Sequence, residues 1–169
     1  MPTSVEQEFV VFSADKLTQL CSRIEDCLGR LTPEQVWQRG SENENAIGNL
    51  VLHLCGNLGQ WIGSGVAGRP DLRKRDHEFD ARGGFAPAEL AGRIHHVVED
   101  AVSVIKSVSA LRLLETVEIK NYKGTVLVCI YHVVEHFSMH AGQIMFATKL
   151  LTGEGLGYYR DPTAAAHKE

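Results

Sequence analysis

The chain has 169 residues and 18.6 kDa, with 44% hydrophobic and 22% charged residues. That composition excludes intrinsic disorder as the main state and supports one domain with a sizeable core. The net charge of -4 and pI near 6.1 leave no basic excess for nucleic acid.

Four cysteines (Cys21, Cys27, Cys55, Cys129) without a C-x-x-C pair read as reduced thiols, the pattern of a cytoplasmic protein. Glu6, Glu8, Asp15 and Lys16 break any signal peptide near the start. The spacing of Phe9, Phe12, Leu17, Leu20, Ile24 and Leu28 predicts a first helix from Ser4 to Leu28. Thr32-Pro33-Glu34-Gln35 reads as an N-cap, a Pro at N1 and a capping-box Gln, giving one short turn. The second helix is predicted from Ala46 to Val66. Residues 46–68 hold no formal charge, so a membrane span is the first alternative, but Asn49, His53, Asn57, Gln60 and six glycines argue against it.

Residues 67–86 read as a long crossover rich in Gly and charge, with Arg69, Arg73, Lys74, Arg75 and Arg82. They form either an exposed mixed-charge loop or a basic rim for an anionic cosubstrate. His77 lies in it and reaches a site only if the loop folds over. The third helix is predicted from Pro87 to Val108, where His95, His96, Glu99 and Asp100 read as a solvated face. Residues 109–124 return through a loop with an extended piece at Val117 to Ile119. The fourth helix runs from the N-cap Thr125 to Leu151, stopped by Gly153 and Gly155. The expected architecture is all-α: a four-helix bundle over residues 1–159, up-down-down-up, with the crossover between helices 2 and 3. Residues 160–169 are expected to be a frayed tail.

The fourth helix carries His132, His136 and His140. Spacing i, i+4 stacks two imidazoles on one face, close enough to share an ion. All three cannot share one, because the outer two are about 12 Å apart along the axis. At about 100° per residue, His136 and His140 fall roughly 130–170° from the polar stripe of Tyr131, Glu135, Ser138, Gly142 and Lys149, so they point inward. Glu135 lies in that stripe and is therefore no general base. On the second helix His53 sits with Asn49, Asn57, Gln60 and Ser64 beside the apolar stripe of Ile47, Leu50, Leu54, Leu58 and Trp61. An uncharged polar stripe fits the wall of a water-containing cavity, and makes His53 the candidate third ligand.

Val134-Glu135-His136, then His140-Ala141-Gly142-Gln143-Ile144 and the Leu-rich end through Gly153, resemble the last-helix signature of the DinB/YfiT-like family of metalloenzymes. Ile47-Gly48-Asn49-Leu50 through His53-Leu54 to Trp61 resembles that family's second-helix motif. The resemblance spans Ser4 to about Gly153. It implies an up-down-down-up bundle, usually dimeric, and a divalent ion held by side chains that map onto His53, His136 and His140. Ala141 stands where many relatives have Arg, and His132 is an addition that reads either as a support behind the ligands or as a core histidine. Gln143, Asn57 and Gln60 are the other expected supports around the ligands.

Three imidazoles leave a coordination position open, where an ion lowers the pKa of bound water or activates a thiolate. Zinc and nickel both suit imidazole. With no Asp or Glu visible as a base, a glutamate-assisted hydrolase is disfavoured. The resemblance points to thiol-dependent S-transfer or isomerisation with a low-molecular-weight thiol as cosubstrate. A metal-binding bundle without turnover, acting as a stress-related or interaction protein, is the alternative. Phe9, Phe12, Phe146 and Leu150 widen the apolar arcs of helices 1 and 4, which fits a homodimer surface or plain core packing.

Overall fold

The computed structural model describes residues 4–158; the expected tail at 160–169 lies outside them. Helix α1 (Val5–Gly29) begins at Ser4, whose hydroxyl accepts from the Gln7 N–H at 3.3 Å. It buries Leu17, Leu20, Ile24 and Leu28 on one face. Helix α2 (Pro33–Trp37) carries the predicted capping box, with Thr32 and Gln35 satisfying each other's backbone donors.

The second expected helix is not uniform. Helix α3 (Ile47–Leu58) continues as a wider π-helical segment, Gly59–Val66. There the Ala67 N–H donates to the Ile62 carbonyl, five residues back, at 2.9 Å. The crossover also holds a helix that the sequence reading took for loop, α4 (Arg75–Asp80). Helix α5 (Pro87–Lys106) ends two residues short of the expected Val108. A 3-10 turn (Leu111–Leu114) leads into an antiparallel hairpin, β1 (Thr116–Ile119) and β2 (Tyr122–Thr125), in register Val117 with Gly124 and Ile119 with Tyr122. The expected extended piece is thus β1, and residues 122–125, expected as loop and helix cap, form its partner strand. Helix α6 (Val126–Thr152) starts at Thr125, whose hydroxyl accepts from Val128 N–H. It stops at Gly153, which takes φ 70, the left-handed conformation of a C-terminal cap.

Cross-helix contacts fix the direction of each helix. Asp15 meets Lys106 and Glu25 meets His95, so α1 and α5 are antiparallel. Gln35, just past α1, donates to the Leu151 carbonyl near the end of α6, so α1 and α6 run parallel. His53 meets His136 and His140 while Trp61 meets His132, so α3 and α6 are antiparallel. Trp37, against the start of α3, donates to the Phe85 carbonyl before α5, and Arg69 past the π segment pairs with Asp100; α3 and α5 are parallel. This is the expected up-down-down-up bundle, with α1 and α3 each packed on α5 and α6. Leu17, Ile24, Leu54, Leu58, Leu90, Ile94, Ile105, Ile130 and Phe137 fill its centre. No helix among the described residues is long and apolar enough to cross a membrane. All four cysteines are free.

Candidate metal centre

Antiparallel packing of α3 on α6 places His53 against the i, i+4 pair His136 and His140. The Nε2 atoms converge: His136 Nε2 lies 3.1 Å from His53 Nε2 and 3.2 Å from His140 Nε2. His53 is buried and the other two are half-buried. One ligand atom from each of the three lies within 4.8 Å of those of the other two.

The outer ring nitrogens decide what those Nε2 atoms carry. His53 Nδ1 lies 2.9 Å from Glu78 Oε2, a pure acceptor, and 3.0 Å from Arg73 Nη2, a donor; because Nη2 already donates to Glu78 Oε2 at 2.8 Å, we assign the proton to Nδ1, which donates it to the carboxylate. His140 Nδ1 donates to Gln143 Oε1 at 2.7 Å. Both rings therefore turn an Nε2 lone pair inward. His136 Nε2 sits between the two lone pairs and can offer a proton to one of them at most. Its Nδ1 is buried without a partner. Protonation offers no relief: burial pushes His136 down to about 3, helped by the neighbouring His140, His53, His132 and Arg73. Burial also lowers His140 and His132. Two inward lone pairs facing a third ring that can offer a proton to only one of them is an arrangement a cation completes and three neutral imidazoles do not. Two nitrogen ligands of a tetrahedral zinc ion, each about 2.05 Å away, stand about 3.3 Å apart. The observed 3.1 and 3.2 Å fit that spacing.

The polar partner of His53 comes from the crossover, which does fold over the site. It brings Glu78, Arg73 and Phe79, whereas His77 is exposed. Arg73 grips the Glu78 carboxylate with Nε on Oε1 and Nη2 on Oε2, both at 2.8 Å. Burial pushes the Glu78 carboxyl up, but hydrogen bonds from Arg73 and His53 outweigh it and hold the group below its ordinary range. The Phe79 ring packs on His53 at 4.7 Å between centroids. Glu78, which the sequence reading did not place near the ligands, is the carboxylate at the site, and it orients a ligand rather than facing the convergence point as a base.

The uncharged stripe on α3 holds the crossover. Asn49 is fully buried, donates to the Glu78 and Ala81 carbonyls at 2.8 and 2.9 Å, and accepts from Arg39 at 2.6 Å. Arg39 in turn donates to the Phe79 and Ala81 carbonyls. Gln60 accepts from Arg73 Nη1 at 3.0 Å and donates to Asp71 at 2.7 Å. Ser64 donates to the Arg69 carbonyl. Gly56, one turn past His53, supplies the room, since a Cβ there would overlap the Glu78 carboxylate.

Of the expected supports, Gln143 touches a ligand directly. Gln60 acts one bond further out, through Arg73. Asn57 is buried, but no hydrogen bond joins it to the three imidazoles. His132 stacks on Trp61 at 4.1 Å and on His136 at 5.5 Å between centroids, a packed ring rather than a ligand. Glu135 is exposed, as its place on the wheel predicts. The basic rim resolves into separate roles. Arg73 pairs with Glu78, Arg69 with Asp100, Arg82 binds carbonyls, and Arg75 lies 4.9 Å from the Phe79 ring centroid. Arg39 and Glu78 are the parts of the site that the sequence reading missed, while Asn49 and Arg73 were expected only as cavity wall and basic rim. Gly56 beside His53 and the Arg73–Glu78 spacing were the available signals.

The family model described as "Protein of unknown function (DUF1572)" matches residues 4–158. A conserved protein from Enterococcus faecalis superposes with a TM-score of 0.72 at 17% identity, covering 90% of this chain and 100% of that one. The DinB-like protein YjoA of Bacillus subtilis gives 0.67 at 12% identity, over 89% of this chain and 98% of that one. A DinB-like protein of Bacillus cereus gives 0.64 at 15% identity, over 82% and 91% respectively. At such identities the likeness is one of fold. No curated protein matches the chain. With the match running from Ser4 to Tyr158 and the helices laid out as in DinB-like structures, the chain belongs to the DUF1572 family and has the DinB-like bundle fold.

Proposed function

We propose that His53, His136 and His140 hold a divalent ion, zinc or nickel, through their Nε2 atoms, and that the chain is a metal-dependent enzyme. The convergence of three Nε2 atoms, two of them with lone pairs fixed inward by Glu78 and Gln143, carries this reading. A bound ion of this kind polarises an oxygen or favours the thiolate form of a coordinated thiol. The chain's own residues set the stage. Glu78 and Gln143 hold the imidazoles of His53 and His140 in the ligating tautomer. Arg73 keeps Glu78 ionised, and Phe79 covers the His53 ring. Because Glu78 is engaged with Nδ1 and Glu135 faces solvent, no carboxylate in the site is free to act as a general base. That favours transfer of a low-molecular-weight thiol, which brings its own nucleophile, over glutamate-assisted hydrolysis.

A homodimer belongs to the same proposal. Phe12, Phe146 and Leu150 are 59%, 63% and 70% exposed, which removes core packing as the account of them, while Phe9 does pack against the core. Metal analysis of the purified chain and of His136→Ala tests the first step: the variant is expected to hold about one equivalent less than the native chain, and equal content in both refutes the site. Turnover of electrophiles that requires both thiol and metal supports the transferase. Metal binding without any turnover leaves the alternative of a stress-related or interaction protein.

A further inference from the structure

A second group of ligating side chains lies on the α1–α5 face. Cys21 and Glu25 are one turn apart on α1, and His95 and Glu99 one turn apart on α5. Because the two helices are antiparallel, the two pairs meet. Cys21 Sγ lies 3.4 Å from Glu25 Oε1, and that same oxygen lies 2.8 Å from His95 Nδ1. Ligand atoms of Cys21, Glu25 and His95 all fall within 4.8 Å of one another. On the far side of the ring, His95 Nε2 is 3.3 Å from Glu99 Oε1. The four residues line a cavity of about 410 Å³ between the helices. His95 is exposed, as expected of a solvated face, and it also bridges to α1.

We propose that Cys21 Sγ, Glu25 Oε1 and His95 Nδ1 form a second, independent site for a borderline-soft divalent ion, zinc by chemistry, with the cavity at its open side. The donor set selects the ion: one thiolate, one imidazole and one carboxylate suit zinc and its analogue cobalt, and disfavour magnesium and calcium. Glu99 does for His95 what Glu78 does for His53. It accepts the Nε2 proton and so leaves Nδ1 to ligate. Binding balances by proton release. The thiol proton of Cys21 and the Nδ1 proton of His95 pass to solvent as the metal–sulfur and metal–nitrogen bonds form. In the metal-free chain the cluster is held together by those same protons, with the Cys21 thiol and the His95 ring both donating to Glu25. Burial raises the Cys21 thiol, so it keeps its proton until a metal displaces it.

Cobalt titration of the chelator-treated full chain tests this, because the three-histidine centre contains no sulfur. The expected signal is a near-ultraviolet thiolate-to-cobalt charge-transfer band that is complete by about two equivalents in the native chain and by about one in His136→Ala. It is lost in Cys21→Ser and in His95→Ala, and the cobalt affinity behind it falls roughly tenfold in Glu99→Gln. His95 is exposed, so its removal reads out even if Cys21→Ser folds poorly. No band in the native chain, or a band that survives either Cys21→Ser or His95→Ala, overturns the proposal. Either outcome leaves the three-histidine centre untouched, since that site is scored by the metal lost in His136→Ala.

Discussion

Replacing Glu78 by Ala separates the stability of the site from its capacity for metal. The carboxylate accepts from Arg73 Nε and Nη2 at 2.8 Å and from His53 Nδ1 at 2.9 Å. Its side chain is 9% exposed and that of Arg73 6%. Truncation leaves the guanidinium buried, with Gln60 Oε1 at 3.0 Å as a neutral acceptor. Breaking a buried pair from one side costs about 3–5 kcal/mol. For a chain of this size each kcal/mol moves Tm by about 2–4 °C, so Glu78→Ala is expected to melt roughly 6–20 °C lower. It also frees the His53 ring, which lowers metal affinity about 10–100-fold. The double variant Arg73→Met, Glu78→Met removes both charges and replaces them with apolar bulk. Its Tm is expected to recover most of the loss, while its metal affinity stays low, because Nδ1 of His53 still lacks its acceptor. Thermal melts of the metal-free variants and competition titrations with a chromophoric chelator read the two quantities separately. A double variant no more stable than Glu78→Ala, or one with native metal affinity, refutes the reasoning.

Acid should weaken the metal-free protein. The folded His136 is held down to about 3 from an ordinary 6.5, so the unfolded chain binds more protons in between. The stability this contributes is complete above pH 6.5 and drains as pH falls toward 3. The depressed carboxyl of Glu78 adds a loss in the same direction below its ordinary 4.5. Urea midpoints of the chelator-treated chain are expected to drop between pH 7.5 and 5.5, and a flat profile contradicts the burial of neutral imidazoles. Gln143→Leu removes the acceptor of His140 Nδ1 at an exposed position. It is expected to lower metal affinity about tenfold while moving stability by no more than about 0.5 kcal/mol, compared by titration and denaturant melt. Gly56→Ala would gain about 1 kcal/mol from helix propensity alone. Its Cβ overlaps the Glu78 carboxylate, so a net loss of Tm is expected.

The outline of the bundle was legible because the information for it is local. Apolar residues at helical spacing gave α1, α5 and α6, and Thr32, Thr125 and Gly153 marked ends by side-chain capping or left-handed geometry. His136 and His140 were legible for the same reason, since i, i+4 is a distance within one helix. His53 emerged from the uncharged stripe, although the bonds that stripe makes to the crossover were not foreseen. A wheel drawn at a constant 100° also loses its phase past Gly59, where the turns widen. Trp61, placed in the apolar stripe, does pack against the core, half-buried, and its ring also meets His132 and Tyr122.

Glu78 was illegible because nothing near it in sequence says where it goes. Its helix, Arg75–Asp80, is six residues long and too short to be stable by itself. What fixes it is Asn49 and Arg39 taking the carbonyls of residues 78, 79 and 81, which are contacts across about thirty to forty residues of chain. Charges on α3 would have competed for those carbonyls or for Arg73 at a cost in desolvation. Neutral amides bind them without that cost. The absence of charge between residues 46 and 68 is therefore the imprint of a strap lying over the helix, and the strap carries the carboxylate that orients His53.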